Sequence, residues 1–188
     1  MEKNILVLTG SSRIKGNSDL LAEEFSRGAR ESGAKVERFD TGRKTIQPCQ
    51  ACDRCFSNGT ACVMDEEFNK LAPLLANADA LALVTPLYWY SFPSSIKAAI
   101  DKLYAFIVGE RPLSVRESML VVCGDMSEER VFEGIRTSYR LILEDRKWID
   151  RGQLIVTGVN GKGEVQSTDA LQRARQLGRT MAGTSRGQ

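Results

Sequence analysis

Val7-Leu8-Thr9-Gly10-Ser11-Ser12-Arg13-Ile14-Lys15-Gly16-Asn17-Ser18 is the stretch whose reading decides the fold. It closes the apolar run Ile5 to Leu8 and leads into a segment where Leu21, Phe25 and Ala29 recur at helical spacing. A strand, a small polar loop and a helix N-terminus in that order form an anion site, because unpaired backbone N–H groups converge and the helix dipole adds positive charge. Ser11, Ser12, Asn17 and Ser18 add short side-chain donors, Gly10 and Gly16 allow tight turning, and Arg13 brings a fixed cation. The loop has neither the Gly-Lys-Ser/Thr of a triphosphate loop nor Gly-x-Gly-x-x-Gly, so it suits one terminal phosphate monoester. An ordinary loop that only caps a helix is equally polar, and that reading stays open on these residues alone.

Outward from this stretch, apolar runs alternate with helical patterns. Asn4 to Leu8 is the first strand and about Asn17 to Ser32 the first helix, while Lys35 to Asp40 reads as a short charged strand suited to a sheet edge. Ala80 to Val84, Met119 to Cys123 and Leu154 to Thr157 are nearly continuous apolar runs, as in strands covered on both faces. Asp65-Glu66-Glu67 caps a helix carrying Phe68, Leu71 and Leu75, which Pro73 is expected to kink or begin. Pro93 suits the first position of a helix lined by Ile96, Ile100 and Leu103. Ser127 opens another, with Val131, Ile135, Tyr139 and Ile142, and Ser167 or Thr168 opens the last, with Leu171, Ala174 and Leu177. Five strands alternating with five helices predict an α/β doubly wound parallel sheet in one domain over 1–182, with a Cys-rich loop at 42–64, a turn at Gly158 to Gly163, and a flexible tail over 183–188.

Composition narrows the function. A net charge of +2 is too small to imply nucleic acid or a membrane surface, and no apolar run approaches the ~18 residues of a membrane span. Met1-Glu2-Lys3 runs straight into a strand with no signal peptide, so the expected location is cytoplasmic, where five Cys favour metal or redox roles over disulfides. The chain has no His, which removes Ser-His-Asp and Cys-His catalysis and imidazole general bases.

Thr85-Pro86-Leu87-Tyr88-Trp89-Tyr90-Ser91-Phe92-Pro93 packs four aromatic residues into a loop leaving a buried strand. Phe92 is read as core. For the others, a bound planar ring would account for so much apolar surface at a sheet end, and loop N–H groups could face its polar edge. Gly-Ser-Ser-Arg-x-x-Gly-Asn-Ser after the first strand and Thr-Pro-x-Tyr-Trp-x-Ser after the third resemble the phosphate and isoalloxazine loops of the NADPH-dependent FMN reductase and flavodoxin-like families. The resemblance extends from the first strand into the last helix. It implies a flavodoxin-like three-layer fold with five parallel strands in order 2-1-3-4-5, and a ligand at the switch point between the first and third strands. It also implies FMN, with Ser11, Ser12, Arg13, Gly16, Asn17 and Ser18 on its phosphate, Pro86, Leu87, Tyr88 and Trp89 along its ring, and Gly124 with Asp125 closing the far side. Its members assemble so that subunits complete one another's flavin sites, which predicts a homodimer or homotetramer here.

Cys49, Cys52, Cys55 and Cys62 form C-x2-C-x2-C-x6-C in a loop without helical or strand patterning. Four thiolates at that density suit a [4Fe–4S] cluster or a structural zinc. The spacing resembles the compact motif of the iron–sulfur flavoproteins. Other flavodoxin-like relatives keep similar runs as free thiols, and disulfides are the remaining alternative. Cys123, at the end of a buried strand, is read as a small core residue.

Together these features predict an FMN oxidoreductase that takes electrons from NAD(P)H, or singly from a carrier such as ferredoxin, and passes them to a small acceptor such as a quinone or flavin. With the chemistry on the flavin, no residue is needed as acid or base. The rival reading is a non-catalytic electron-transfer flavoprotein that relays electrons between proteins through FMN and a cluster. Carriers of that type are usually strongly acidic, and this chain is not.

Overall fold

The computed structural model describes residues 2–183, so all of the expected tail except Gly183 lies outside the described residues. In chain order the elements are β1 (Asn4–Thr9), α1 (Asn17–Glu31), β2 (Lys35–Asp40), α2 (Glu66–Asn77), β3 (Ala80–Pro86), α3 (Ser94–Asp101), α4 (Tyr104–Val108), β4 (Glu117–Cys123), α5 (Glu133–Arg146), β5 (Ile149–Val156) and α6 (Ala170–Ala182). All strand pairs are parallel and the sheet order is β2-β1-β3-β4-β5, the flavodoxin-like order expected.

Side-chain alternation builds the three layers. Ile5, Val7, Ala82, Val84, Met119 and Val121 point to one face, where Leu21 and Phe25 of α1 and Ala174 and Met181 of α6 cover them. Leu6, Leu8, Leu81, Leu83, Leu120 and Val122 point to the other, against Phe68 and Leu71 of α2, Ile96 of α3, and Ile135 and Tyr139 of α5. Both sets are essentially fully buried, and each of the Leu, Ile, Val, Phe and Met side chains contributes roughly 1.5–3 kcal/mol. The helices α1 and α6 cross at glycines. A Cβ on Gly28 would lie 1.9 Å from the Arg175 carbonyl oxygen, and one on Gly178 would lie 2.0 Å from that of Phe25.

Element boundaries depart from expectation where polar residues enter strands. β5 starts at Ile149 rather than Leu154. It is an edge strand whose first residues stay partly exposed, and its ladder bulges where Arg151 and Gly152 (φ +127°) together oppose Met119. β4 starts two residues early on buried Glu117 and Ser118. Lys3 Nζ lies 2.6 Å from the Glu117 carboxylate, and Ser118 Oγ donates to the Leu81 carbonyl. Helix starts also shift: a short 3-10 turn at Glu129–Phe132 takes up the predicted first turn of α5, and α6 begins at Ala170, after a 3-10 turn at Glu164–Ser167, rather than at Ser167 or Thr168. The helix expected to carry Leu103 ends at Asp101, and α4 follows as a separate turn. Pro73 sits inside α2, which stays helical from Glu66, with the Asp65 carboxylate accepting the Phe68 N–H. Pro93 occupies the cap position of α3 rather than its first turn. Among the described residues no helix is long and apolar enough to cross a membrane.

Candidate functional site

The loops leaving β1, β3, β4 and β5 meet at the carboxyl end of the sheet and are sewn together through their backbones. Gly10 N–H donates to the Val84 carbonyl at 3.3 Å, Leu87 N–H to Cys123 at 2.7 Å, Gly124 N–H to Val156 at 3.0 Å and Val159 N–H to Gly124 at 2.9 Å. Gly10 is required by this closeness, since a Cβ there would lie 2.4 Å from Thr85 Oγ1. The 3-10 turn Thr41–Arg43 presses on the first loop from the β2 side, with Thr41 Oγ1 donating to the Thr9 carbonyl at 2.7 Å.

The pocket between these loops is lined by Ser11, Arg13, Gly16, Asn17, Ser18, Pro86, Leu87, Tyr88, Cys123, Gly124, Asp125, Val159, Asn160 and Lys162. The predicted residues that it gathers include all but Ser12 and Trp89. Ser12 is exposed beside it, and Trp89 is 92 % exposed above it. Residues from the β5–α6 turn were missed. Val159, Asn160 and Lys162 enter the lining because that turn sits at the same sheet end, and a polar Gly-rich turn carries no signal of its own.

The first loop is open to an anion. Gly16 is the N-cap of α1 and supplies no capping side chain, and the N–H groups of Asn17 and Ser18 make no hydrogen bond among the described residues. Arg13 and Lys162 likewise carry no ion pair among the described residues. Two fixed cations therefore flank a bare helix N-terminus, and the chemistry of the donors fits a phosphate monoester. The loop's shape is locked from behind. Lys15, at φ 55°, donates its N–H to Asp19 at 2.6 Å, and Asp19 is bonded in turn by Arg38 and Arg43, which also hold Asp40. Burial pushes the Asp19 carboxyl up, but these donors and cations outweigh it and hold the group below its ordinary value. Asn17 is also a brace. Its side-chain amide donates to the Gly161 carbonyl at 3.0 Å and accepts from Val165 N–H at 3.1 Å, which ties the β5–α6 turn to the first loop.

The second loop is a two-residue turn. Tyr88 and Ser91 exchange N–H···O bonds at 3.1 and 3.0 Å, with Trp89 at φ 46° and Tyr90 at φ 64° between them. Glycine or asparagine normally fills such left-handed turn positions, so two aromatics there mark strain held in place for a purpose. Gly134 lets α5 reach under the turn, since a Cβ there would lie 2.3 Å from the Tyr90 carbonyl. Phe92 is buried, as expected. Cys123 is buried in the floor of the pocket, and burial pushes its thiol up to about 12.

The four other cysteines line a second pocket with Gln47, Pro48, Met64, Lys102 and Tyr104. It lies at the C-terminal end of α3, whereas the aromatic turn precedes the N-terminus of that helix. Ala51, Asp53 and Phe56 all have left-handed backbones (φ 48°, 53° and 59°), which curls the chain around the pocket that the four cysteines border. None of the four is in a disulfide. The Arg54 N–H and side chain hold the Cys52 thiol below its ordinary value, while burial and the other three sulfurs hold Cys55 above it. Four convergent thiols are the donor chemistry of a thiolate-bound centre, although among the described residues no three such side chains stand in ligating geometry.

The family model described as NADPH-dependent FMN reductase matches residues 3–143. An iron–sulfur flavoprotein of Archaeoglobus fulgidus is 29% identical over 105 residues, covering 56% of this chain and 46% of that protein. An iron–sulfur flavoprotein of Methanocaldococcus jannaschii is 25% identical over 105 residues, covering 56% and 54%. The chain spans about half the length of the curated relatives it matches. Among solved structures, an NAD(P)H:quinone oxidoreductase from Methanothermobacter marburgensis superposes with a TM-score of 0.79 at 20% identity over 100% of both chains. An FMN-dependent NADH-azoreductase of Bacillus anthracis, in complex with FMN, gives 0.67 at 12% identity over 96% of this chain and 100% of that one. At these identities the superpositions show the fold.

Proposed function

The chain belongs to the NADPH-dependent FMN reductase family, and from that premise we propose that it binds FMN between the β1, β3, β4 and β5 loops and moves electrons from NAD(P)H to a small acceptor such as a quinone or a flavin. The observation that carries this is the uncapped N-terminus of α1 flanked by the unpaired cations Arg13 and Lys162. When bound, FMN supplies hydride and single-electron transfer. The protein's own work is binding and orientation. The N–H groups of Asn17 and Ser18, with Ser11, Ser18 and Arg13, hold the phosphate. Pro86, Leu87 and Tyr88 form the ring's bed, and Gly124 with Asp125 bounds its far edge. Neither acid nor base is required, consistent with a chain that lacks His. The test is extraction of the cofactor and its identification by mass, followed by anaerobic addition of NADPH while the visible spectrum is recorded. FMN that bleaches supports the reading. FAD at full occupancy, or FMN that NADPH and NADH leave oxidised, overturns it.

A second reading concerns the thiol pocket, and the inward curl at Ala51, Asp53 and Phe56 favours it. We infer that Cys49, Cys52, Cys55 and Cys62 hold a [4Fe–4S] cluster, which also opens the site to single-electron donors such as ferredoxin. The names of the curated relatives support this. Iron and sulfide analysis after anaerobic purification and reconstitution decides it. Wild type without iron overturns the reading, and iron that survives Cys52→Ala removes that thiol from the ligand set.

A further inference from the structure

We propose that Lys102 sets the redox behaviour of the thiol pocket by placing a buried ammonium hydrogen bond on the Cys62 sulfur, an inference that rests on reading the four thiols as a cluster site. Lys102 is only 4% exposed, and its Nζ lies 3.3 Å from Cys62 Sγ and 3.3 Å from Asp65 Oδ2. A buried lysine needs partners for its charge. Asp65 alone would serve as counter-ion, and it is rigidly held, accepting the N–H groups of Gln47 at 2.9 Å and Phe68 at 3.1 Å. The contact with sulfur is therefore additional to what neutralising the lysine requires.

The placement of Lys102 is fixed at both ends of its helix. It is the C-cap of α3, where the helix dipole favours a cation, and the Phe68 ring lies 5.6 Å from its ammonium. At the other end of α3, Ser95 Oγ donates to the Gly10 carbonyl at 3.2 Å. The pocket is thus asymmetric. Cys49 and Cys52 are exposed at its mouth, while Cys62 is its inner corner against a buried positive charge.

One-electron reduction of a cluster adds one negative charge and makes or breaks no bond. A donor on a ligand sulfur, at the buried corner of the site, stabilises that added charge and raises the potential. Lys102→Met keeps the stem and removes the charge but leaves Asp65 unpaired. The double variant Lys102→Met/Asp65→Asn therefore accompanies it, since asparagine keeps a capping oxygen for Phe68. Lys102→Arg retains a cation.

The test uses anaerobically reconstituted protein with iron and sulfide counted and FMN affinity as the control for folding. Midpoint potentials are read by dithionite titration under paramagnetic resonance. The double variant is expected to bind full iron with its reduction equilibrium about tenfold less favourable, a shift of about 59 mV to more negative potential. Lys102→Arg is expected to shift less. Full iron with equal potentials in all variants overturns the role of Lys102 and leaves the cluster reading standing. Wild type that takes up no iron overturns both.

Discussion

Arg13 and Asn17 sit four residues apart in one loop, yet they differ in how far their sequence reveals them. Arg13 could be placed at the pocket from the sequence because the reason is local: a cation just ahead of a helix N-terminus borders whatever site forms there. Charge-assisted contacts of this kind contribute about 1.5–3 kcal/mol, so Arg13→Ala should weaken FMN binding by roughly one to two powers of ten. Flavin titration measures this, and an unchanged dissociation constant would place the guanidinium in solvent. Asn17 was legible as polar but not as a brace, because its partners at Gly161 and Val165 come from the far end of the chain. Lys162 was illegible for the same reason. The buried pair of Lys102 and Asp65 was hidden too, since each residue taken alone reads as a charge on a helix end.

Elements were read correctly wherever burial on both faces left continuous apolar runs, as in β3 and the core of β4. They were misread where tertiary contacts rescued polar residues, as Lys3 rescues Glu117 and the bulge accommodates β5. The crossing of α1 on α6 was not visible at all, because glycines inside helices ordinarily signal weakness. Here they permit contact. Gly28→Ala or Gly178→Ala must push carbonyl oxygens aside, and each is expected to cost about 1–3 kcal/mol, read as a fall in melting temperature. The same helix pair carries a pH dependence. Hydrogen bonds from Arg175 and Arg179 hold the Glu31 carboxyl down from 4.5 to about 2. A group depressed on folding stabilises above its unfolded value and loses that contribution as pH falls through the folded one. Acid should therefore weaken α6 docking between about pH 4.5 and pH 2, and Glu31→Gln should flatten that part of the melting-temperature profile. An unaltered profile in the variant would assign the acid sensitivity elsewhere.

For the whole molecule, the order of the strands followed from the resemblance of the two motif loops to the flavodoxin-like families, and the sheet has that order. The sequence showed an excess of aromatic surface in the second loop but not which side chains would be left outside. Trp89 is 92% exposed, and Tyr88, Tyr90 and Met126 are each about half exposed around it. One flavin lying along Pro86 to Tyr88 cannot cover all of these, so we expect a second copy of the chain to do so. Light scattering at micromolar concentration should give at least twice the 20.8 kDa of one chain, and Trp89→Glu should shift the population towards single chains. A monomer in wild type would refute the pairing.

The clasp between Asn17 and the β5–α6 turn also has a meaning in time. Asn17, which shapes the phosphate loop, is made 144 and 148 residues before the Gly161 carbonyl and the Val165 N–H that it clasps. Until α6 is made, α1 lacks the surface against which its glycine face closes. The cofactor therefore meets a finished binding loop only after translation of the β5–α6 turn. A growing chain stalled ahead of Gly161 should capture little flavin, however complete its family signature already is.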